Sequence, residues 1–446
     1  MTLQLRSQSG PLTVVTTPDL DGRTVVMATI APKGDQSALS CADAATLGEA
    51  VKTARDQRLP FVAVLSLSGV VVEEGLEVAD SWGRAARELV QASGVIPLFM
   101  VANGPMVSGP ALLLALADIV VFTQEAYAFV TGPKIVETYT GEPISSTSLG
   151  GSGAHARSTG LASVVVDSPE AGIQFLSAAL AHFPDHVDEL PPLTETDDPV
   201  ERQTPEAGEL LPTTAMGSYD VRNIIRVIAD DSEFLELKAS WAPNLVTGFT
   251  FIGGQSIGVV ANQTQALAGS IDIPAAQKGA RFVAMCDAFN IPLLTMVDTS
   301  GFLPGKDLEW RGMIRHGAQL AFAYARATVP RVGLILRKSY GGAYIVMDSR
   351  HMGNDVMLAW PSAEVAVMGA KGAVEILHRK ASVEEREALV LDYESQFLTP
   401  YIAAERASIT AIVTPDETRS EVAAAFDLLA TKRERLRPRR HDNTPL

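Results

Sequence analysis

Ile96–Phe122 reads IPLFMVANGPMVSGPALLLALADIVVF, and Val329–Met347 reads VPRVGLILRKSYGGAYIVM. In each, an apolar strand runs into a glycine-bearing turn and then into a helical stretch. The first stretch closes on a further strand and continues into AYAFVTGPK; the second is followed by VMLAW and AEVAVMGAKG. Upstream of each lies another strand that ends in glycine, LPFVAVLSLSG (Leu59–Gly69) and IPLLTMVDTSG (Ile291–Gly301). Helical patterns fill the intervals, from Gly75 to about Ala92 and from Leu308 to Ala327. Gly69 to Gly109 is 40 residues and Gly301 to Gly342 is 41. Two βαβ-rich halves with matched glycine spacing predict a duplicated α/β fold.

Composition bounds what such a chain does. Its 446 residues are 47% hydrophobic, enough for sizeable cores and for two or three domains. Lys and Arg number 36 against 52 Asp and Glu, a net charge of −16. That balance argues against nucleic-acid binding, which rests on cationic neutralisation of phosphates. Cys41 and Cys286 are too few for a thiolate zinc site or a disulfide framework, so a reducing cytoplasm and no bound metal are expected. The start, MTLQLRSQSGPLTVV, has no apolar signal core. The longest apolar stretch, Ala111–Phe122, is broken by Asp118 and is too short to span a bilayer.

Between the halves, Asp185–Glu209 carries nine acidic residues against Arg202, with prolines interspersed. We read 1–184 as the amino-terminal domain, 185–218 as an exposed acidic linker and 219–446 as the carboxy-terminal domain. The basic end, TKRERLRPRRHDNTPL, reads as a solvated tail.

Three turns sit between apolar strands and helices: Ser68-Gly69-Val70, Val107-Ser108-Gly109-Pro110 and Tyr340-Gly341-Gly342-Ala343. Glycine lets a ligand approach the backbone, and a helix start presents unpaired N–H groups. Such a turn can hold a developing oxyanion with backbone donors alone. Taken singly, each turn is explained by tight chain reversal; occurrence at matched places in both halves weakens that explanation. The chain has no GxxxxGK[ST] phosphate loop, GxSxG elbow or HExxH, and its seven histidines are scattered. His316 reads as a packing or hydrogen-bonding residue, and Gly253-Gly254 as a hairpin. Few acids and bases beside several oxyanion turns suggest enolate chemistry with an external base.

The second half resembles the carboxyltransferase (beta) subunit of biotin-dependent acyl-CoA carboxylases of the propionyl/acetyl-CoA type. The resemblance rests on YDVR (Tyr219–Arg222), GSIDIPAAQKGARFVAMCDAFNIPLL (Gly269–Leu294), VDTSGFLPG (Val297–Gly305), GMIRHGAQLAFAYARATVPRV (Gly312–Val332), RKSYGGAY (Arg337–Tyr344) and AWPSAEVAVMGAKGAV (Ala359–Val374). It implies two crotonase-like (ClpP/crotonase) domains in tandem and a homohexamer, a trimer of dimers. It also implies an enolate formed from an acyl-CoA and carboxylated from carboxybiotin. By resemblance, Gly342 and Ala343 hold the biotin ureido oxygen, with Gly301, Phe302, Tyr340 and Gly341 around it. Ser108 and Gly109 hold the thioester oxygen. Ser68, Gly69, Val70, Pro110, Gly132, Gly150 and Gly151 complete the acyl-CoA site, and Ile345 falls where acyl size is selected. The chain has neither a biotinyl Met-Lys-Met sequence nor an ATP-grasp segment, so biotin arrives on a carrier or biotin carboxylase chain.

The first half departs further. FVTGP (Phe129–Pro133), TGE (Thr140–Glu142) and SLGG (Ser148–Gly151) persist, but the family's SGGAR-x-x-EG reads Leu67-Ser68-Gly69-Val70-Val71-Val72-Glu73-Glu74-Gly75. The family's glycine-rich segment after the second strand is replaced by GDQSALSCADAATLG (34–48). Ala-Gly-Gly-Ala becomes Val107-Ser108-Gly109-Pro110, and proline has no N–H. In the second half, Asp-x-Pro-Gly becomes Asp298-Thr299-Ser300-Gly301. These departures admit an unusual acceptor, a decarboxylase or transcarboxylase direction, a non-catalytic paralogous subunit, or thioester hydrolase or isomerase chemistry.

Overall fold

The computed structural model describes residues 4–7, 10–20, 22–30, 37–214 and 217–445. Of the stretches read above, residues 1–3, 8–9, 34–36, 215–216 and 446 lie outside these. One compact unit comprises Met1–Pro192, Leu237–Trp241 and Ala288–Asn290; the second comprises Leu193–Glu236, Ala242–Asp287 and Ile291–Leu446.

Unit 1 is built on β1 (Gln4–Arg6), β2 (Thr13–Leu20), β3 (Arg23–Thr29), β4 (Phe61–Leu67), β5 (Leu98–Val107), β6 (Ile119–Thr123), β7 (Tyr127–Phe129) and β8 (Val164–Val166). Strand order is β1-β2-β3-β4-β5-β6-β8, with β7 added on β5. The second sheet holds β9 (Leu235–Leu237), β10 (Leu245–Ile252), β11 (Gln255–Asn262), β12 (Leu293–Thr299), β13 (Arg331–Tyr340), β14 (Val356–Ala359), β15 (Glu364–Ala366) and β16 (Ala411–Ile412). Its order is β9-β10-β11-β12-β13-β14-β16, with β15 added on β13. The duplication predicted from glycine spacing is therefore realised strand for strand.

In both sheets an antiparallel hairpin leads into parallel strands joined by helical crossovers. Helices Cys41–Gln57 and Leu76–Ala92 make the first two crossovers of unit 1; Ile273–Ala288 and Met313–Arg326 make those of unit 2. Both faces of β4 and β12 are covered, so these strands are buried along their whole length and read as nearly unbroken apolar runs. The β10–β11 hairpin turns at Gly253 and Gly254, with φ +60° and +75°, as a two-residue turn of this kind requires. Matched register shifts interrupt the central pairs, between Leu65 and Leu67 against β5 and between Val297 and Thr299 against β13. Each shift immediately precedes a glycine turn, where an irregularity re-aims the chain.

Three sequence expectations change in the structure. The helix expected over Leu308–Ala327 is two helices, Lys306–Trp310 and Met313–Arg326, because Gly312 takes φ +93° and ends the first. The acidic stretch is largely exposed but not loose. Asp198 binds Arg202 at 2.7 Å, and Thr204 binds the carbonyls of Pro415 and Asp416. The Arg202 hydrogen bonds, and then the charge of Arg419, hold the Asp198 carboxyl below its ordinary value. The basic tail is also tied down: Lys432 binds Asp355 and the Val329 carbonyl, Asp442 pairs with Arg326, and Gln319 donates to the Pro445 carbonyl.

The strand that leads to the second turn is clamped at its start by a buried ion pair. Arg331 opens β13 with its side chain 2% exposed and binds Asp348, 0% exposed, at 2.6 Å. Asp348 follows the helix Gly341–Val346, so the pair ties both flanks of the turn together. Asn354 donates to the other Asp348 oxygen at 2.9 Å, and Arg331 also donates to the Tyr324 carbonyl. Removing one partner leaves the other charge buried and uncompensated. Asp348→Ala should therefore lower stability by roughly 3–5 kcal/mol in urea unfolding, and a loss under about 1 kcal/mol would show that the clamp is unimportant.

Candidate functional site

The second-half turn is built from β13 and the short helix Gly341–Val346. Gly341 has φ +60°, a left-handed backbone in which a β-carbon would also meet the Val367 carbonyl oxygen at 3.1 Å. On Gly342 a β-carbon would lie 3.3 Å from the Phe302 ring, so little room is left for a branched side chain. As the first residues of a helix, Gly341, Gly342 and Ala343 have N–H groups with no intrahelical acceptor. The turn borders a cavity of about 490 Å³ whose lining includes Gly341, Gly342, Tyr344 and Ile345. The Tyr344 hydroxyl is buried without a hydrogen-bond partner among the described residues. A bound group with a polar atom would satisfy it.

One carboxylate braces this turn against the neighbouring one. Asp298, near the end of β12 and 2% exposed, accepts from the Tyr219 hydroxyl at 2.8 Å and from Arg337 Nε at 2.7 Å. Its second oxygen accepts from the Lys338 N–H at 3.2 Å. Arg337 also donates to the Gly217 carbonyl, and its guanidinium lies 4.9 Å from the Tyr219 ring centroid. Burial, followed by the Asp298 charge, pushes the Tyr219 phenol well above its usual pKa, so it stays a donor. Burial and the bond to Glu364 likewise raise Tyr340. The brace joins β12, which leads into Gly301, to β13, which leads into Gly341. None of Tyr219, Asp298, Arg337 and Tyr344 stands out as a site residue in the sequence, because nothing there pairs Tyr219 with two strands about 80 and 120 positions on.

The first-half turn follows the same path with different residues. Ser108 has φ +70° and ψ −157°, a region that glycine almost alone adopts. Gly341 occupies the equivalent position in unit 2. The Ser108 N–H donates to the Phe129 carbonyl at 2.9 Å, and the Ala111 N–H to the Ser108 carbonyl at 3.0 Å. Pro110 has no N–H, so Gly109 supplies the donor that this turn leaves free of backbone partners among the described residues. The expected helix after it is a 3-10 helix, Gly109–Leu116, with Pro110 in its first turn. Ser66 and Gly104 stand where unit 2 has Asp298 and Arg337, so the brace has no counterpart here.

Other candidate residues fall into two groups. The Ser68-Gly69-Val70 loop closes with Leu39, whose N–H binds the Gly69 carbonyl at 2.9 Å; Ile271 does the same to Gly301 at 3.1 Å. These loops end β4 and β12, beside the strands that end at Ser108 and Gly341. In each unit, two glycine turns therefore sit at the carboxyl ends of adjacent parallel strands, where open α/β sheets place ligands. Gly150 and Gly151 are explained by packing: β-carbons there would meet the Ala128 and Thr147 carbonyl oxygens at 2.0 and 2.6 Å. Gly132 precedes the helix Pro133–Thr140, and Ile345 shares the unit 2 cavity with Gly342. His316 contacts Gln277 and Gln319, each at 3.3 Å. Among the described residues, no group of three His, Cys, Asp or Glu side chains could hold a metal ion.

Residues 18–444 match the carboxyl transferase domain family. The chain is similar to the propionyl-CoA carboxylase beta chain of Saccharopolyspora erythraea, 41% identical over 87% of this chain and 74% of that protein. It is also similar to the methylmalonyl-CoA decarboxylase alpha subunit of Veillonella parvula, 38% identical over 90% of this chain and 80% of that one. Among solved structures it resembles transcarboxylase 12S, a hexamer crystallised with hydrolysed methylmalonyl-CoA, with a TM-score of 0.97 and 33% identity. That match covers 100% of this chain and 90% of the other.

The strained serine yields a direct test. Ser108→Gly should relieve a backbone cost of order 1–3 kcal/mol, less what glycine adds to unfolded-state freedom, for a net gain of about 1 kcal/mol. Thermal unfolding should show a raised midpoint; a lowered one would mean that the serine side chain outweighs the strain.

Proposed function

This chain belongs to the carboxyl transferase domain family, and from that premise we propose how its two halves divide the work. It is an enzyme that transfers a carboxyl group on acyl-CoA, the chemistry common to its carboxylase, carboxyltransferase and decarboxylase relatives. In our reading the donor is carboxybiotin, carried on a separate cytoplasmic biotin carboxyl carrier or biotin carboxylase subunit, and the acceptor is a short acyl-CoA. The transcarboxylase 12S hexamer supports a homohexameric assembly.

The observation that carries this division is the pair of equivalent turns, each following a parallel strand and starting a helix with free N–H groups. In unit 2, Gly342 and Ala343 donate to the ureido oxygen of biotin, Phe302 lies against Gly342, and the Tyr344 hydroxyl is available to a polar atom of the ligand. When bound, carboxybiotin supplies the carboxyl group and then a ureido nitrogen able to take the α-proton. In unit 1, Gly109 donates to the thioester oxygen and stabilises the enolate. Backbone donors are aimed before the charge develops, so no reorganisation opposes the step. Unit 1 offers fewer of them because Pro110 stands where unit 2 has Ala343.

Two variants test the halves separately. Gly342→Val drives a branched side chain towards the Phe302 ring and should abolish carboxyl transfer while the protein still assembles. Turnover within a few-fold of wild type would remove Gly342 from the site. Pro110→Ala restores an N–H and should raise transfer to acetyl- or propionyl-CoA towards the roughly hundredfold that one oxyanion donor is worth. An unchanged rate with a small change in stability would confine Pro110 to starting its helix.

A further inference from the structure

The acceptor-side turn carries an aromatic cover from an unexpected element. A β-carbon on Gly109 would lie 2.8 Å from Cζ2 and 3.1 Å from Cε2 of Trp82. Carbon atoms settle no closer than about 3.5 Å, so the indole already fills the space that glycine leaves. Trp82 stands on the helix Leu76–Ala92, next to the buried stripe of Val78, Ser81, Ala85 and Leu89, and packs half-buried against the unit 1 core.

Unit 2 solves the same problem differently. Its turn glycine, Gly342, is covered by Phe302, which follows Gly301 and bridges to Ile271. The residue in that place in unit 1 is Val70, which follows Gly69 and bridges to Leu39. Valine replaces the aromatic ring, and the cover over Gly109 comes from the crossover helix instead. The two covers are therefore independent constructions on equivalent turns.

We propose that Trp82 is a specificity-determining residue for the acyl group, a wall that restricts acceptors at the Gly109 turn to short chains. This rests on the carboxyltransferase reading above, in which the thioester oxygen reaches the Gly109 N–H. With that oxygen held, the carbons attached to the carbonyl lie within a few ångströms of the turn, on which the indole rests. A rigid ring there excludes added methylenes, each worth roughly 10- to 200-fold in discrimination at an apolar pocket. A purely structural tryptophan would affect stability and leave the ranking of acyl chains unchanged.

The test compares wild type, Trp82→Ala, Trp82→Leu and Trp82→Phe in the full-length protein. Dissociation constants and, with a carboxybiotin-loaded carrier, kcat/KM are measured for acetyl-, propionyl-, butyryl- and hexanoyl-CoA. Trp82→Ala should raise the hexanoyl-to-propionyl ratio at least tenfold in both quantities, mainly through KM, and Trp82→Phe should fall between it and wild type. Trp82→Leu, which keeps an apolar contact with the core, gives the same shift where Trp82→Ala fails to fold. Ratios within twofold of wild type in every folded variant, or an equal loss for all four substrates, overturn the proposal. A shifted binding ratio with no transfer in any protein, wild type included, overturns the carboxyltransferase reading and leaves the wall in place.

Discussion

The Asp298 carboxylate, buried between Tyr219 and Arg337, is the constraint on which the glycine turns of unit 2 depend. An ionised carboxylate taken out of water is tolerated only when charged and hydrogen-bonding partners replace its hydration. Here the partners come from a neighbouring strand and from a segment far back in the chain, so satisfying the charge sets where β12 and β13 end. The Gly301 loop and the Gly341 turn begin within three to four residues of these groups. Their N–H directions are thus set by a charge-assisted bond rather than by loop packing alone. The Arg331–Asp348 pair secures the far flank of the same turn. Between these two ion pairs, the short helix Gly341–Val346 has a fixed start and a fixed end.

Unit 1 keeps the architecture and gives up the brace. Ser66 is fully buried with a hydroxyl that has no partner among the described residues, and Gly104 has no side chain to reach it. The turn at Ser108 is instead held by the Phe129 carbonyl, by a serine in a glycine-type conformation and by Trp82 against Gly109. Duplication thus preserves strand order and turn position while the means of holding each turn diverges. This fits the division proposed above, with a constant group, biotin, on one half and a variable acyl acceptor on the other.

The duplication and the turns are legible in the sequence because glycine spacing and strand–turn–helix order follow from local backbone demands. The family is legible from RKSYGGAY and its neighbours because the glycine turn and the strand end that leads into it occupy one continuous segment. Long-range pairings are not. Tyr219 reaches Asp298 across 79 residues, and Trp82 reads as one member of an amphipathic helix until the fold lays its indole on Gly109. Gly312 reads as an ordinary glycine in an apolar-periodic run, and only its φ of +93° shows that it divides two helices. The charged tail and the acidic stretch mislead for a common reason. Composition records that such residues favour water, but not that Arg326, Arg419 and Gln319 offer each segment a specific partner.

The central claim is that backbone donors held by the Asp298 brace receive biotin in unit 2. A crystal structure of the protein with biotin bound tests it most directly. The account predicts the ureido oxygen about 2.7–3.1 Å from the N–H groups of Gly342 and Ala343, against the Phe302 face, with Asp298 still bound to Arg337 and Tyr219. Biotin bound elsewhere, or seated at the turn with its ureido oxygen facing away from both N–H groups, would contradict it.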